Sequence, residues 1–191
     1  MPHPLDQFIP DPDIRERHAV TVRAPAEHVQ AVARAFDMQS VPVVRTLVRA
    51  RQLLLGSRQT SRTPRGMVAD MTAMGWGILL DRPGELLVAG AVCQPWLADV
   101  HFRPLPPDQF ATFTEPNQVR IAWTLETKEL GPGRTELATE TRAAATDATS
   151  RRQFRHYWRW ARFGIIPIRW FLLPAVARRA ERPAGDVKVR A

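Results

Sequence analysis

The stretch 147–182, DATSRRQFRHYWRWARFGIIPIRWFLLPAVARRAER, decides how the rest of the chain must fold. Asp147 is a favoured N-cap residue. At about 100° per residue, Phe154, Tyr157, Trp158, Ala161, Ile165, Ile168 and Leu172 fall on one stripe and Arg151, Arg155, Arg162 and Arg169 on another. The spacing predicts one long amphipathic helix with its arginines turned to solvent and a bend at Gly164, Pro167 or Pro174. Such a helix needs a broad apolar surface to lie on, and the residues before it supply strands. Val119, Ile121, Trp123 and Leu125 alternate with Arg120, Thr124 and Glu126 across 118–130, and a second alternating run covers 135–145. Gly131-Pro132-Gly133-Arg134 joins the two as antiparallel neighbours.

Working back, Asp81-Arg82-Pro83-Gly84 links strands over 76–80 and 85–94, and Pro107-Asp108-Gln109-Phe110 opens one helical turn within a proline-broken connection. Strand 14–22 alternates, with Glu16, His18, Val20 and Val22 on one side. Ala24-Pro25-Ala26-Glu27 starts a helix reaching Asp37, a second helix spans 42–55, loop residues follow over 56–66, and a short helix or turn lies near 67–74. The expected fold class is α+β: a curved antiparallel sheet wrapped around the long C-terminal helix, with two short helices after the first strand. Residues 1–13 form an irregular arm, 14–182 the domain, and 183–191 a flexible tail.

The chain has 191 residues, 45% hydrophobic and 24% charged, which suits one globular domain. Residues 151–191 hold 11 of the 27 Lys+Arg and 2 of the 19 Asp+Glu, so the net charge of +8 is concentrated there. Lysine occurs only at Lys128 and Lys188, an arginine bias that a GC-rich genome also produces. Clustered arginine attracts anionic surfaces, but the pattern identifies no specific nucleic acid and permits at most peripheral membrane contact. The apolar run 163–177 contains Arg169, Pro167 and Pro174 and falls short of the roughly 20 residues of a membrane span. With the single cysteine Cys93 and no basic-apolar leader at the start, the expected compartment is cytoplasmic.

The phrases Val22-Arg23-Ala24-Pro25-Ala26-Glu27, Thr139-Glu140-Thr141-Arg142, Thr146-Asp147 and 151–159 (RRQFRHYWR), in that order of elements, resemble the START-like helix-grip superfamily, SRPBCC. More narrowly they resemble its bacterial polyketide cyclase/dehydrase and lipid-transport-like branch. The resemblance covers about residues 14–182. It implies a cavity between the sheet and the long helix, and it brings no catalytic motif, because members range from lipid carriers to cyclases.

The alternation places Leu137, Thr139, Thr141 and Ala143 inward beside Val119, Ile121, Trp123 and Leu125, facing Phe154, Tyr157, Trp158 and Ile165. This wall encloses a small hydrophobic molecule or is a filled core. The opposite sheet face carries Arg120, Glu126, Glu140 and Arg142, expected as cross-strand ion pairs of roughly 0.2–1 kcal/mol each. His18 and Tyr157 are the candidates for proton transfer or ligand orientation, with a sheet-edge histidine and a core tyrosine as the alternatives. His156 is expected at the surface and Cys93 as an inert core residue. The five histidines form no short ligand pair with an acid or cysteine, and no phosphate loop is present, so neither a metal nor another cofactor is expected.

Three functions fit. The first is a carrier or sensor of a hydrophobic or aromatic small molecule, with Tyr157, His18 or Thr141 as polar anchors. The second is an enzyme on a polyketide-like substrate using His, Tyr or Glu proton transfer. The third is a surface-binding module built on the arginine helix with Trp160, Trp170 and Phe171.

Overall fold

The computed structural model describes residues 3–46 and 66–182. Its elements are β1 (Ile14–Val22), α1 (Ala26–Ala35), α2 (Met67–Ala73), β2 (Gly77–Arg82), β3 (Leu86–Cys93), α3 (Pro107–Thr112), β4 (Val119–Gly131), β5 (Arg134–Ala145) and α4 (Ala148–Ala180). The expected second helix starts on schedule and is helical over 42–46. Its continuation, the loop over 56–65 and the tail 183–191 lie outside the described residues.

All strands pair antiparallel in the order β1-β5-β4-β3-β2. Residues 131–134 turn β4 into β5, as the glycine-proline connector predicts. The inner face carries α1, α2 and α4. A core built there joins Val22, Leu87, Trp123, Leu125 and Leu137 of the sheet to Val29 and Ala33 of α1 and to Leu172, Leu173, Val176, Ala177 and Ala180 of α4. Asp147 caps α4, accepting hydrogen bonds from the backbone N–H of Thr149 at 2.7 Å and Ser150 at 2.8 Å.

The outer face is also covered. The stretch expected as an irregular arm instead holds a 3-10 turn at Pro4–Gln7 and buries Leu5, Phe8 and Ile9 against Val88, Val92, Ala122 and Ala144. Phe110 of α3 completes this layer, and its ring passes so close to Gly90 that a Cβ there would sit 3.1 Å from it. With both faces covered, every residue of β3 is buried, which accounts for its unbroken apolar run from Leu86 to Cys93.

The arm also changes the expected surface ion pairs into an interior network. Glu140 and Arg142 are buried on the outer face, 0% and 2% exposed. Glu140 accepts two hydrogen bonds from Arg15, at 2.9 and 3.0 Å, and one from Arg142 Nε at 2.7 Å. Arg142 Nη1 donates to Asp6 at 2.6 Å and to the Ile9 carbonyl at 3.0 Å, locking the arm to the sheet. Glu126 faces His3 at 3.3 Å. Arg120 departs further from expectation, because it donates to the carbonyls of Phe8, Phe110 and Ala111 and forms no ion pair among the described residues. Burial works to raise the Glu140 carboxyl, but the hydrogen bonds from Arg15 and Arg142 outweigh it and hold the group below its ordinary value.

α4 runs well beyond the apolar stretch 163–177. Its most apolar window reaches a mean hydropathy of 1.2, long and apolar enough to cross a bilayer by those measures, and 22% of that window is buried. Its last turns nevertheless form part of the core described above.

Removing one member of a buried charge network leaves the others uncompensated, so Glu140→Ala is expected to cost about 3–5 kcal/mol in urea denaturation. The depressed carboxyl contributes stability above its unfolded value near pH ~4.3 and loses it as the pH falls further. Wild type should therefore weaken below that pH more steeply than Glu140→Gln.

Candidate functional site

α4 is held at its two ends. Phe154 packs against Val119, Ala143 and Ala145, and the next buried residue along the helix is Leu172. The span between them bridges a hollow of about 340 Å³ on the inner face of the sheet. Ile121, Trp123 and Leu125 of β4 and Leu137, Thr139, Thr141 and Ala143 of β5 form its floor. Tyr157, Trp158, Ile165, Ile168 and Arg169 of α4 form its roof. The far wall is aromatic and sulfur-rich: Met67 and Met71 of α2 lie with Trp76 and Phe102, whose rings stack at 5.0 Å, and Trp76 meets Trp123 edge-on at 6.4 Å. Methionine and offset aromatic rings adapt to varied apolar shapes, so this end suits a hydrocarbon or aromatic body.

Nine of the ten expected ligand-wall residues are brought together here: Ile121, Trp123, Leu125, Thr139, Thr141, Phe154, Tyr157, Trp158 and Ile165. Val119 is on the same sheet face but is sealed under the first turns of α4, away from the hollow. Of the two proton-transfer candidates, Tyr157 lines the cavity and His18 does not. His18 sits on the edge strand, its ring 6.5 Å from that of Trp170 and its Nε2 4.0 Å from Glu16. Burial and the nearby Arg169 charge lower its pKa against the opposing pull of Glu16, which keeps the imidazole neutral at pH 7. His156 is exposed and Cys93 is buried. Among the described residues no group of His, Cys, Asp and Glu is arranged to hold a metal ion.

The residue missed by the expected amphipathic pattern is Arg169. Instead of joining the outward arginines, it enters the cavity and donates from Nη2 to Thr141 Oγ1 at 2.5 Å. The signal was present in the spacing Ile165, Arg169, Leu172, Val176, which is i, i+4, i+7, i+11 along one helix face. The buried stripe drifts around α4, from Phe154, Tyr157 and Trp158 at one end to Leu172, Leu173, Val176, Ala177 and Ala180 at the other. A single fixed stripe therefore places Arg169 on the wrong side.

The strand order and the C-terminal helix laid across the inner face make this a helix-grip fold, as the resemblance implied. No family model matches the chain, and no curated protein matches it. Solved structures similar to it include a Deinococcus radiodurans protein, 18% identical over 79% of this chain and 99% of its own, with a TM-score of 0.33. A hypothetical protein of Helicobacter pylori is 8% identical, covering 94% of this chain and 95% of its own at a TM-score of 0.41. The Zhui aromatase/cyclase of Streptomyces sp. R1128 is 15% identical, covering 90% and 98% at a TM-score of 0.30.

The inward position of Arg169 has a spectroscopic consequence at His18. In an NMR pH titration His18 is expected to protonate below the usual 6.5, and Arg169→Gln should move that midpoint upward. A His18 midpoint indifferent to Arg169→Gln would place the arginine outside the cavity.

Proposed function

We propose that the protein binds a hydrophobic or aromatic small molecule in the cavity between sheet and α4, as a carrier or sensor. The observation that carries this reading is the hollow itself. A core assembled only for stability closes to native packing density, whereas here Tyr157, Trp158, Ile165 and Ile168 stand over about 340 Å³ of largely apolar space. Filling it with a ligand removes apolar area from water at about 25 cal/mol per Å². The alternative, a cyclase or dehydrase acting on a polyketide-like substrate, needs an acid–base group at the cavity. Tyr157 offers a hydroxyl there, while His18 lies outside the lining.

Dodecan-1-ol is a suitable neutral probe, since Trp123 in the cavity floor reports its entry through intrinsic fluorescence. Saturable binding is expected, and Thr139→Phe, which adds a ring to the floor, should weaken it by about tenfold or more with little change in melting temperature. An unaltered affinity in Thr139→Phe sinks the cavity as the binding place.

A second reading concerns where such a ligand is collected, and the outward side of α4 favours it. Trp160 and Phe163 are 68% and 64% exposed, Trp170 and Phe171 follow on the same side, and Arg152, Arg159 and Arg162 flank them without ion pairs among the described residues. Aromatic side chains bordered by arginine match the interface of an anionic bilayer, which takes the rings at headgroup level and the guanidinium groups at its phosphates. We assign this face to peripheral contact with anionic lipid. Co-sedimentation with phosphatidylglycerol vesicles should be lost in Trp160→Ser/Phe163→Ser and reduced by raising the salt, and equal binding to phosphatidylcholine vesicles contradicts the assignment.

A further inference from the structure

Within the proposed cavity, Arg169 is a cation without a counterion among the described residues. Its Nη2 is taken up by Thr141 Oγ1, but its Nη1 is buried and has no hydrogen-bond partner among the described residues. Glu16 acts on it electrostatically without forming an ion pair. Outside the described residues the sole acidic side chain is Asp186, so the segment 47–65 brings no carboxylate to it. A second lining residue repeats the pattern. The Trp123 indole N–H is also buried and has no partner among the described residues, and Trp123 pairs directly with Thr141 across β4 and β5, on the sheet row beneath Arg169. Both unsatisfied groups are donors, and one is charged. A buried donor left unpaired costs about 1–3 kcal/mol, more when it is charged, so the cavity lacks acceptor oxygens bearing negative charge.

We propose that the ligand is an amphipathic carboxylic acid, bound as its carboxylate with the headgroup on Arg169 and the apolar body directed toward Trp76, Phe102, Met67 and Met71. This rests on the cavity reading above and gives it a ligand class. A monoanion suits the site better than a phosphate dianion, because one guanidinium supplies one positive charge and Glu16 already lies nearby. Arg169 Nη1 and the Trp123 indole N–H offer donors for carboxylate oxygens, and the surrounding apolar wall lowers the dielectric in which the charge-assisted bond forms. Thr141 holds the guanidinium in place through its hydroxyl, making it a positioning residue.

The test compares dodecanoate with dodecan-1-ol at pH 8, by calorimetry on the full chain. Wild type is expected to bind the acid about tenfold or more tightly than the alcohol. Arg169→Gln should bring the ratio of acid to alcohol affinity down to about one, while Arg169→Lys keeps part of the preference. The wild-type comparison stands even if the variants fold poorly. Equal affinity of wild type for acid and alcohol, or equal loss of both in Arg169→Gln, overturns the carboxylate assignment and leaves the cavity reading intact. Absence of binding for both probes removes the two together.

Discussion

The docking of α4 by its ends governs the rest of this structure. Leu172, Leu173, Val176, Ala177 and Ala180 are buried against the sheet and α1, where each of the larger side chains contributes about 1.5–3 kcal/mol. His28 of α1 lies 3.0 Å from the carbonyl of Ala180, and Glu181 just beyond it accepts from the backbone N–H of Arg23 at 2.8 Å. At the opposite end Asp147 caps the first turn and Phe154 is 2% exposed in its own small cluster. Between these anchors the helix cannot collapse onto the curved sheet without tearing one of them out. The hollow lies between these two anchors, under the stretch of α4 that carries Tyr157, Trp158, Ile165, Ile168 and Arg169.

The sheet must be stiff for that arrangement to persist, and its stiffness comes from the covered outer face. The N-terminal turn and α3 bury what otherwise is an exposed apolar surface, and the Asp6–Arg142–Glu140–Arg15 network fixes the turn in register on β5 and β1. The two faces consequently differ in chemistry. On the outer side Asp6, Arg142, Glu140 and Arg15 satisfy one another and Arg120 donates to backbone carbonyls, whereas the principal charge on the inner side, Arg169, has a hydroxyl partner and, among the described residues, no partner for its Nη1.

Much of this was legible in the residues. Strand alternation in Ile121, Trp123 and Leu125, the turn residues at 131–134 and the cap at Asp147 each depend on local chemistry, and each element formed close to its expected bounds. Of the nine expected wall residues that line the hollow, Ile121, Trp123, Leu125, Thr139 and Thr141 follow from the same alternation and Phe154, Tyr157, Trp158 and Ile165 from the apolar stripe of the helix. What escaped depended on contacts distant in sequence. The arm looked irregular because proline and aspartate dominate it, and only pairing with Arg142 and packing on β3 order it. Val119 obeyed the alternation yet fell under the helix anchor, which alternation alone does not locate. A single stripe along all of α4 turns Arg169 outward, whereas the buried side of the helix shifts from Phe154 at one end to Leu172, Leu173, Val176, Ala177 and Ala180 at the other.

The most direct measurement of the account is an intermolecular NOE map between carbon-labelled dodecanoate and the protein. Cross-peaks from the alkyl protons to the methyls of Ile121, Leu137 and Met71, with the carboxyl end nearest Thr141, are the result the account requires. Cross-peaks confined to Trp160, Phe163 and Phe171 on the outer side of α4 contradict it.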